Sequence, residues 1–389
     1  MKQQFTEQKL KLFIVTGNRF VGGNELGLMR LAQELSKRNY IVTVVAYAKR
    51  KMAKFFRSFK GIHQICLLTE PPHSKSLIQK FLKDPPDLIL SSGPGLAVEM
   101  AQQYKKPLFL RIVNNPNWQF GNTGFLTEQT KQIIKMMGAF SKRLIALSNS
   151  VKAPFLKLGI NHFETIYNGC DTEFFRPASR EKAAFRRRFN VPVNNITIGV
   201  VANILPQKRH EIVIRALSEL PEDAPSFKCF FIGSYDQKKM KIQKKKLNRL
   251  IKKFNLGKKI IFTGFLNDRK EFMNGLDIHL FPFQGEGCTN TLLEAMACEK
   301  AVIAHNSGPF PEMISRNQEG VVVPEEDPKA FAQALYELLG NRELRLKLGK
   351  KARLKVQQKF NRKKQVDAYD YLFRSSLEHS QYGKKLLLK

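Results

Sequence analysis

The sequence contains few cysteines, and their arrangement excludes two kinds of structural support. The five cysteines are odd in number and form no C-x-x-C pair, so neither a disulfide framework nor a zinc site is indicated. A reducing cytoplasm is therefore the expected compartment. The cysteines are Cys66, Cys170, Cys229, Cys288 and Cys298.

Long hydrophobic runs are also missing. No segment approaches the roughly 18 uninterrupted apolar residues that a membrane span requires. The apolar run of about six residues near the start is too short for the apolar region of a signal peptide. We therefore expect any membrane contact to be peripheral.

Acidic residues are half as numerous as basic ones. There are 33 Asp and Glu against 66 Lys and Arg, which leaves a formal charge of +33. A field of this sign attracts phosphate, whether in nucleic acid, in anionic lipid headgroups or in a nucleotide. Charge alone does not choose among these partners.

Apolar strand signals alternate with helix signals in two successive series. The first series runs from LFIVTG (12–17) through YIVTVVAY (40–47), and the second begins near Asn194 with NITIGVVAN. Strands that are apolar almost throughout indicate a parallel sheet covered on both faces by helices. We predict an α/β protein with two doubly wound, Rossmann-like domains, residues 1–180 and 181–360, facing a cleft at the carboxyl ends of both sheets.

Two carboxylates stand eight positions apart where the second series changes from loop to helix. Glu286 is predicted at the tip of the loop QGEGCTNT, and Glu294 one to two turns into the following helix. The N–H groups at a helix start can bind phosphate oxygens, and a carboxylate can accept two hydrogen bonds from a vicinal diol. A sugar nucleotide offers both groups. The alternative is one acid complementing the helix dipole and one solvated helix carboxylate.

The flanking sequence resembles the large family 4 group of retaining glycosyltransferases with the GT-B fold, the glycosyl transferases group 1. Glu286 and Glu294 match the family's E-x7-E element, and LLEAMACEKAVIAHNSGPFPEMI is similar to its pattern of helix, strand and glycine turn ending in Pro311-Glu312. YNGCDTEFFRP (167–177), FIGS, IIFTGF and GGNE (22–25) also match in order, over roughly residues 10–370. The resemblance implies that residues 361–389 form a helix packing back on the first domain.

The resemblance also implies roles for single residues. Lys208 would begin a helix and hold the donor diphosphate, while Glu286 holds the sugar and Glu294 the ribose. Asn203 stands where the family has an arginine, and Arg209 is an alternative source of that charge. The remaining donor-binding candidates are Gly287, Cys288, Thr289, Asn290, Thr291 and, for the base, Phe265. Without the resemblance, Lys208 reads as a solvated lysine and Phe265 as a buried structural residue.

In the first domain the resemblance assigns Gly22 and Gly23 to donor-phosphate and acceptor contacts, whereas a bare Gly-Gly pair equally fits an ordinary loop. Many relatives carry a catalytic-site histidine where this chain has Asn114. Asn114 either hydrogen-bonds a sugar hydroxyl or belongs to a turn. A retaining transfer by internal return needs no enzymatic base, since the leaving phosphate can accept the proton. The sequence has no Asp-x-Asp triplet, so we predict that no metal is used and that Lys208 and helix dipoles do this work.

The segment KRKMAKFFRSFK (49–60) mixes cations with phenylalanines. We predict a basic amphipathic helix lying on an anionic leaflet, with the alternative that its phenylalanines face the domain core. The proposed membrane contacts are Lys49, Arg50, Lys51, Phe55, Phe56 and Phe59. A second basic run (238–253) is better explained as a surface helix of the second domain.

The predicted protein is a cytoplasmic, membrane-peripheral retaining glycosyltransferase. It would move a sugar from a nucleotide sugar to a lipid-linked or polysaccharide acceptor entering from the first domain, in bacterial surface glycan or lipopolysaccharide synthesis. One alternative is nonspecific binding to nucleic acid or another anionic surface. The other is a relative that binds a sugar nucleotide without transferring it.

Overall fold

The fold is taken from a computed structural model, which describes residues 9–16, 22–47, 50–68, 78–79, 81, 83–116, 126–315 and 317–386. The described chain divides into two compact units, one ending at Asn168 and resuming at Lys363, the other formed by Gly169–Arg362. The boundary predicted from the sequence lies after residue 180. Residues 169–180 group with the second unit because Cys170 N donates to Phe360 O (2.8 Å) and Ala178 N to Asn274 Oδ1 (2.9 Å).

The first unit contains a seven-stranded parallel sheet in the order β3-β2-β1-β4-β5-β6-β7. The order changes direction between β1 and β4, as in a doubly wound sheet. The strands are β1 (Leu10–Thr16), β2 (Tyr40–Tyr47), β3 (Gln64–Leu68), β4 (Leu88–Ser91), β5 (Leu108–Ile112), β6 (Arg143–Ala146) and β7 (Phe163–Thr165). The helices between them are α1 (Gly23–Ser36), α2 (Arg50–Arg57), α3 (Gly95–Tyr104), α4 (Glu128–Phe140) and α5 (Ala153–Leu156).

The central strand β1 supplies two separate hydrophobic cores. Leu12 and Ile14 belong to one cluster of buried side chains, and Phe13 and Val15 belong to another. Successive strand residues point to opposite faces of a sheet. The uninterrupted apolar run in the sequence therefore exists because both faces are covered.

The second unit contains a six-stranded parallel sheet in the order β10-β9-β8-β11-β12-β13, which reverses between β8 and β11. Its strands are β8 (Ile196–Val201), β9 (Phe227–Ile232), β10 (Ile260–Gly264), β11 (Ile278–Phe281), β12 (Ala301–His305) and β13 (Val321–Val323). Its helices are α6 (Ser179–Arg188), α7 (His210–Ser218), α8 (Lys238–Lys253), α9 (Arg269–Gly275), α10 (Asn290–Ala297), α11 (Phe310–Met313), α12 (Pro328–Gly340) and α13 (Arg342–Lys359). The predicted fold class, two doubly wound α/β sheets, is confirmed.

The last helix, α14 (Arg362–Leu386), packs on the first unit. Tyr369 and Phe373 lie in the same buried cluster as β1, and the Phe373 ring centroid is 5.0 Å from that of Phe109. The Tyr40 hydroxyl donates to Asp370 Oδ1 at 2.7 Å. A C-terminal helix thus completes the core of the first unit.

Helix α2 does not have the lipid-facing phenylalanines that the sequence suggested. Phe56 is fully buried in the first-unit core, and the half-buried Phe55 and Phe59 pack against the same cluster. The prediction that Phe56 contacts a membrane is wrong, because its hydrophobic surface is already covered by protein. Lys49 lies outside the described residues, as do the side chains of Arg50 and Lys51. No described helix is both long enough and apolar enough to cross a bilayer.

The second unit should lose stability in mild acid because three of its histidines are fully buried: His210, His279 and His305. Burial and the positive charge of nearby Lys208 lower the pKa of His210 to about 3. Burial also lowers the pKa of His279 to about 3. Burial, aided by Arg209, lowers the pKa of His305 to about 4. An unfolded histidine titrates near about 6.5, so the unfolded state binds more protons at lower pH.

This stability is complete above about pH 6.5 and decreases as the pH falls toward the folded pKa values, by up to about 1.4 kcal/mol per pH unit for each histidine. Calorimetry between neutral pH and mild acid should show a falling Tm for the second unit. His305→Phe keeps a ring beside Phe331 and should flatten that slope. An equally steep slope in this variant would exclude His305 as a contributor.

Candidate functional site

The candidate site lies at the carboxyl edge of the second sheet, where the chain leaves β8 and β11. After β8, a short 3-10 turn covers Pro206–Lys208, and Arg209 adopts a left-handed backbone (φ +47°). Helix α7 therefore begins only at His210. Lys208 ends the turn before the helix, which corrects the prediction that it begins the helix. The left-handed residue is the reason, because it interrupts helical geometry.

Close backbone packing holds this edge together. A Cβ added to Gly233, just after β9, would lie 2.1 Å from the carbonyl oxygen of Ala202, just after β8. Only glycine allows these two chain segments to approach so closely. Nearby, Asn203 Oδ1 accepts a hydrogen bond from Ser234 N at 3.1 Å. Asn203 therefore joins the ends of β8 and β9.

Lys208 and Glu286 form an ion pair across this edge. The Lys208 ammonium contacts Glu286 Oε1, and both side chains are only 17% exposed. Lys208 Nζ also lies 4.3 Å from the Phe283 ring centroid, a cation–π distance. The Thr289 hydroxyl lies 3.4 Å from the second carboxylate oxygen of Glu286. The two residues that the sequence predicted to act together are thus in direct contact.

The loop that carries Glu286 is fixed by its neighbours. Gln284 N donates to Gln207 O at 3.0 Å, which joins this loop to the Lys208 turn. Gly308 has φ +53°, and a Cβ added there would lie 3.1 Å from the Glu286 carbonyl oxygen. Gly308 thus combines a left-handed backbone with close contact, and both favour glycine.

Helix α10 begins directly after this loop, with Thr289 as its N-cap. The N-terminus of the helix, with its partial positive charge, therefore lies beside the Lys208–Glu286 pair. Gly287, Cys288 and Thr289 are buried, whereas Asn290 and Thr291 are half-buried.

Glu294 lies one turn into α10 and is 2% exposed. Its Oε2 pairs with the guanidinium of Arg269, the first residue of α9. Sequence reasoning missed Arg269, because no motif spacing connects it with Glu294. A cation at a helix start after β10 was the one available signal. Both predicted donor-site acids, Glu286 and Glu294, therefore have a cationic partner.

Arg209 is not joined to the Lys208–Glu286 pair. Its guanidinium contacts Glu326, and its Nε lies 3.2 Å from Glu211 Oε1. Glu326 also accepts from Gln284 Nε2 at 2.7 Å. Glu326, in the segment before α12, therefore contacts both Arg209 at the start of α7 and Gln284 of the Glu286 loop.

Phe265 follows Gly264 at the end of β10 and is 68% exposed. The interpretation as a buried structural residue is wrong, because Gly264, at φ +74°, turns the chain outward. On the protein side of this turn, Tyr235 packs under Lys244, whose Nζ lies 3.6 Å from the ring centroid. An exposed aromatic face is thus available at the same sheet edge.

The first-unit candidates lie at the carboxyl edge of their own sheet. Gly22 is the N-cap of α1, and its N–H donates to Glu25 Oε2 at 2.8 Å. Asn114, two residues after β5, is half-buried. Sequence reasoning missed Arg111, a 1% exposed residue of β5 whose guanidinium donates to Asn24 Oδ1 at 3.3 Å.

Neither a metal-binding cluster nor an ionised thiol at Cys298 is found among the described residues of the second unit. The described residues contain no cluster of three His, Cys, Asp or Glu side chains suited to a metal ion. Burial raises the pKa of Cys298, at the end of α10, to about 12. This thiol therefore stays neutral and is a poor nucleophile at physiological pH.

Two family models match consecutive parts of the chain. Residues 21–174 match the model described as Glycosyltransferase Family 4, and residues 181–355 match Glycosyl transferases group 1. Together these matches account for most of the chain and include both edges described above.

Two curated relatives and one solved structure illustrate the similarity. The chain is 26% identical over 234 residues to the O-antigen biosynthesis glycosyltransferase WclY of Escherichia coli, covering 60% of this chain and 62% of that protein. It is 28% identical over 295 residues to a Campylobacter jejuni protein, covering 74% of this chain and 75% of that protein. The latter is named N-acetylgalactosamine-N,N'-diacetylbacillosaminyl-diphospho-undecaprenol 4-alpha-N-acetylgalactosaminyltransferase. The chain spans about three fifths of the length of the first curated relatives it matches.

The structure of Anabaena Alr3699/HepE in complex with UDP and glucose has the same fold. The TM-score is 0.84 at 18% identity, and the superposition covers 94% of this chain and 100% of the other. At this identity the likeness concerns the fold alone.

Proposed function

We propose that this chain, which belongs to the group 1 glycosyltransferases of the GT-B fold, moves a sugar from a nucleotide sugar to a lipid-linked or polysaccharide acceptor. The observation that carries the proposal is the Lys208–Glu286 pair beside the N-terminus of α10. One cation, one carboxylate and a helix start offer a partner for each part of a glycosyl diphosphate.

The ion pair keeps the site ready for the donor. Without a donor, Lys208 and Glu286 neutralise each other at 17% exposure. When a donor binds, its diphosphate would bind to the Lys208 ammonium and to the N-terminus of α10. Its sugar hydroxyls would donate hydrogen bonds to the Glu286 carboxylate. Charges that are already placed need little reorganisation during the reaction.

The nucleoside would bind beside the diphosphate. Glu294 would accept hydrogen bonds from the ribose hydroxyls, and Arg269 would hold its carboxylate in place. Phe265 would contact the base with its exposed ring. A uridine nucleotide is the first donor to test, because the similar Anabaena structure contains UDP.

The transfer would retain the anomeric configuration and use no metal. As the bond from sugar carbon to phosphate oxygen breaks, Lys208 and the α10 dipole would stabilise the charge that develops on the diphosphate. The departing phosphate oxygen would accept the proton of the acceptor hydroxyl. Asn114 would hydrogen-bond a sugar hydroxyl at the position where many relatives carry histidine.

The acceptor class is inferred from the relatives. The Escherichia coli relative is named for O-antigen biosynthesis, and the name of the Campylobacter protein describes a diphospho-undecaprenol acceptor. We therefore propose a role in bacterial surface glycan or lipopolysaccharide synthesis, on the cytoplasmic face of the cell membrane. A carrier lipid in that membrane would present the acceptor.

Release of nucleoside diphosphate from a panel of UDP-, GDP- and dTDP-sugars tests the proposal. The wild-type chain should hydrolyse one donor slowly and transfer its sugar when an undecaprenyl-diphosphate glycan is added. NMR of the product should show the donor's anomeric configuration, and added EDTA should not change the rate. Tight UDP binding without any release or transfer would instead identify a binding protein that has lost catalysis.

Glu294→Gln should raise the donor KM about tenfold and change kcat little. The ribose hydroxyls contact this carboxylate equally before and during bond cleavage, so their loss weakens binding uniformly. One lost charge-assisted hydrogen bond, at about 1.5–3 kcal/mol, corresponds to roughly tenfold or more. Steady-state kinetics with the best donor provides the test, and Glu222→Gln on the surface is the control. A fall in kcat at constant KM would argue against a ribose contact.

A further inference from the structure

Helix α8 carries nine cations and no acid in its 16 residues. Met240, Gln243, Leu247 and Ile251 are buried and hold the helix on the second unit. The exposed cations form what we call the α8 face: Lys238, Lys239, Lys241, Lys245, Lys246, Arg249, Lys252 and Lys253. The basic run that suggested an ordinary surface helix is therefore a continuous cationic surface.

This charge pattern opposes the stability of the helix itself. Lys238 and Lys239 occupy the positive end of the helix dipole, and the first turn contains no acid. Lys241, Lys245 and Arg249 follow one another at i,i+4 spacing, and each such like-charge pair costs about 0.2–0.5 kcal/mol. An anionic partner would remove both penalties.

Two other helices of this chain contain lysines that pair with an acid of the same helix. Lys131 of α4 lies 2.5 Å from Glu128, and Lys363 of α14 lies 3.0 Å from Asp367. Over the described ranges, no cation of the α8 face is found in an ion pair. The positive field of this face is therefore available to an external anion.

We propose that the α8 face docks the protein on a membrane surface rich in anionic lipids. Ile242 lies among these cations and is 49% exposed. An apolar side chain between lysines fits the interface of a bilayer, where it reaches the acyl boundary while the ammonium groups meet phosphate. A nucleic-acid backbone offers such a side chain nothing.

The position of α8 indicates the purpose of the membrane contact. The helix begins at Lys238, a few residues after β9 ends at the sheet edge that carries Lys208 and Glu286. Lys244 of α8 stacks on Tyr235, which lies beside Gly264 at the predicted base site. Docking through α8 would bring the donor edge of the second unit near the lipid. This purpose rests on the proposed function, whereas the docking itself does not.

Co-sedimentation of the full chain with vesicles tests the docking. Phosphatidylcholine vesicles with phosphatidylglycerol should bind the protein, and phosphatidylcholine alone should not. Each cation near an anionic surface contributes about 1 kcal/mol, or roughly fivefold. The triple change Lys241→Gln, Lys245→Gln and Arg249→Gln should therefore weaken binding on the order of 100-fold. Ile242→Ser alone should weaken it several-fold.

Two matched triple variants test whether vesicle binding depends on the α8 face or only on the total positive charge of the protein. One changes the exposed Lys347, Lys350 and Lys351 of α13 to Gln, and the other changes Lys54, Arg57 and Lys60 at α2. Both should bind vesicles nearly as the wild type does. Equal losses in all three variants, loss through α2 alone, or no binding to anionic vesicles would overturn the proposal.

Two further measurements distinguish the remaining possibilities. If the α8 variant loses binding to poly(U) but keeps binding to vesicles, the face binds nucleic acid and the proposal fails. Nucleoside diphosphate release in water should be the same in the α8 variant and the wild type. A chain that binds vesicles through α8 but releases no diphosphate would refute the proposed function and leave the docking intact.

Discussion

Lys208→Ala should lower kcat for nucleoside diphosphate release by about 100- to 1,000-fold, the loss typical of removing one oxyanion donor. The effect should fall on kcat more than on KM, because negative charge on the leaving diphosphate grows during bond cleavage. Lys208 is already fixed by Glu286 and the Phe283 ring, so its ammonium is placed before the donor binds. Steady-state kinetics with the best donor measures both constants.

Three companion variants make this result interpretable. Lys329→Ala removes an exposed lysine of the same unit and should leave kcat unchanged. Lys208→Arg keeps the charge and should recover part of the activity. The double variant Lys208→Ala/Glu286→Ala should be little worse than the poorer single variant, since residues that act as one unit are not additive. Wild-type kcat in Lys208→Ala would remove the transferase mechanism as proposed.

Phe56→Ala should destabilise the first unit by about 3–5 kcal/mol, the usual loss for truncating a buried phenylalanine. Phe56 is completely buried, and its ring lies 5.3 Å from that of Phe55 within the core cluster. Truncation removes buried apolar surface and leaves a cavity. Urea denaturation followed by circular dichroism would record this loss as an earlier transition of the first unit.

Phe265→Ala is the matched control for this change. The Phe265 side chain is 68% exposed, so its removal should alter stability by no more than about 0.5 kcal/mol. If Phe56→Ala kept wild-type stability but lost affinity for anionic vesicles, α2 would be a membrane contact and Phe56 would not be a core residue. Comparing the two variants thus distinguishes a loss of core packing from a loss of surface binding.

The sequence patterns were sufficient to predict the architecture because they report the local periodicity of strands and helices. Apolar runs such as 12–16 indicate strands covered on both faces, and Leu12 and Phe13 indeed enter different cores. The predicted loop and helix around Glu286 and Glu294 also appear as expected, with α10 starting at Asn290. The left-handed Arg209, which delays α7 until His210, escaped prediction because a single backbone angle leaves no periodic signal.

The ion pairs within the site could not be predicted from local sequence, because the topology of the second sheet brings their residues together. Lys208 and Glu286 are 78 positions apart, and their contact follows from β8 and β11 being neighbours in the sheet. The Arg269–Glu294 pair likewise joins two different helices. The family resemblance named three of these four residues, but Arg269 emerged only from the folded chain.

The sequence by itself determined the two doubly wound α/β units, the excess of positive charge and the acid pair at a helix start, since each is written in local spacing or composition. Only the tertiary structure decided which partner each charge has and which apolar side chains are already covered. KRKMAKFFRSFK and KKMKIQKKKLNRLIKK both read as basic amphipathic helices. Folding buries Phe56 in the first and leaves Ile242 exposed in the second, because burial depends on what the rest of the chain places against each helix.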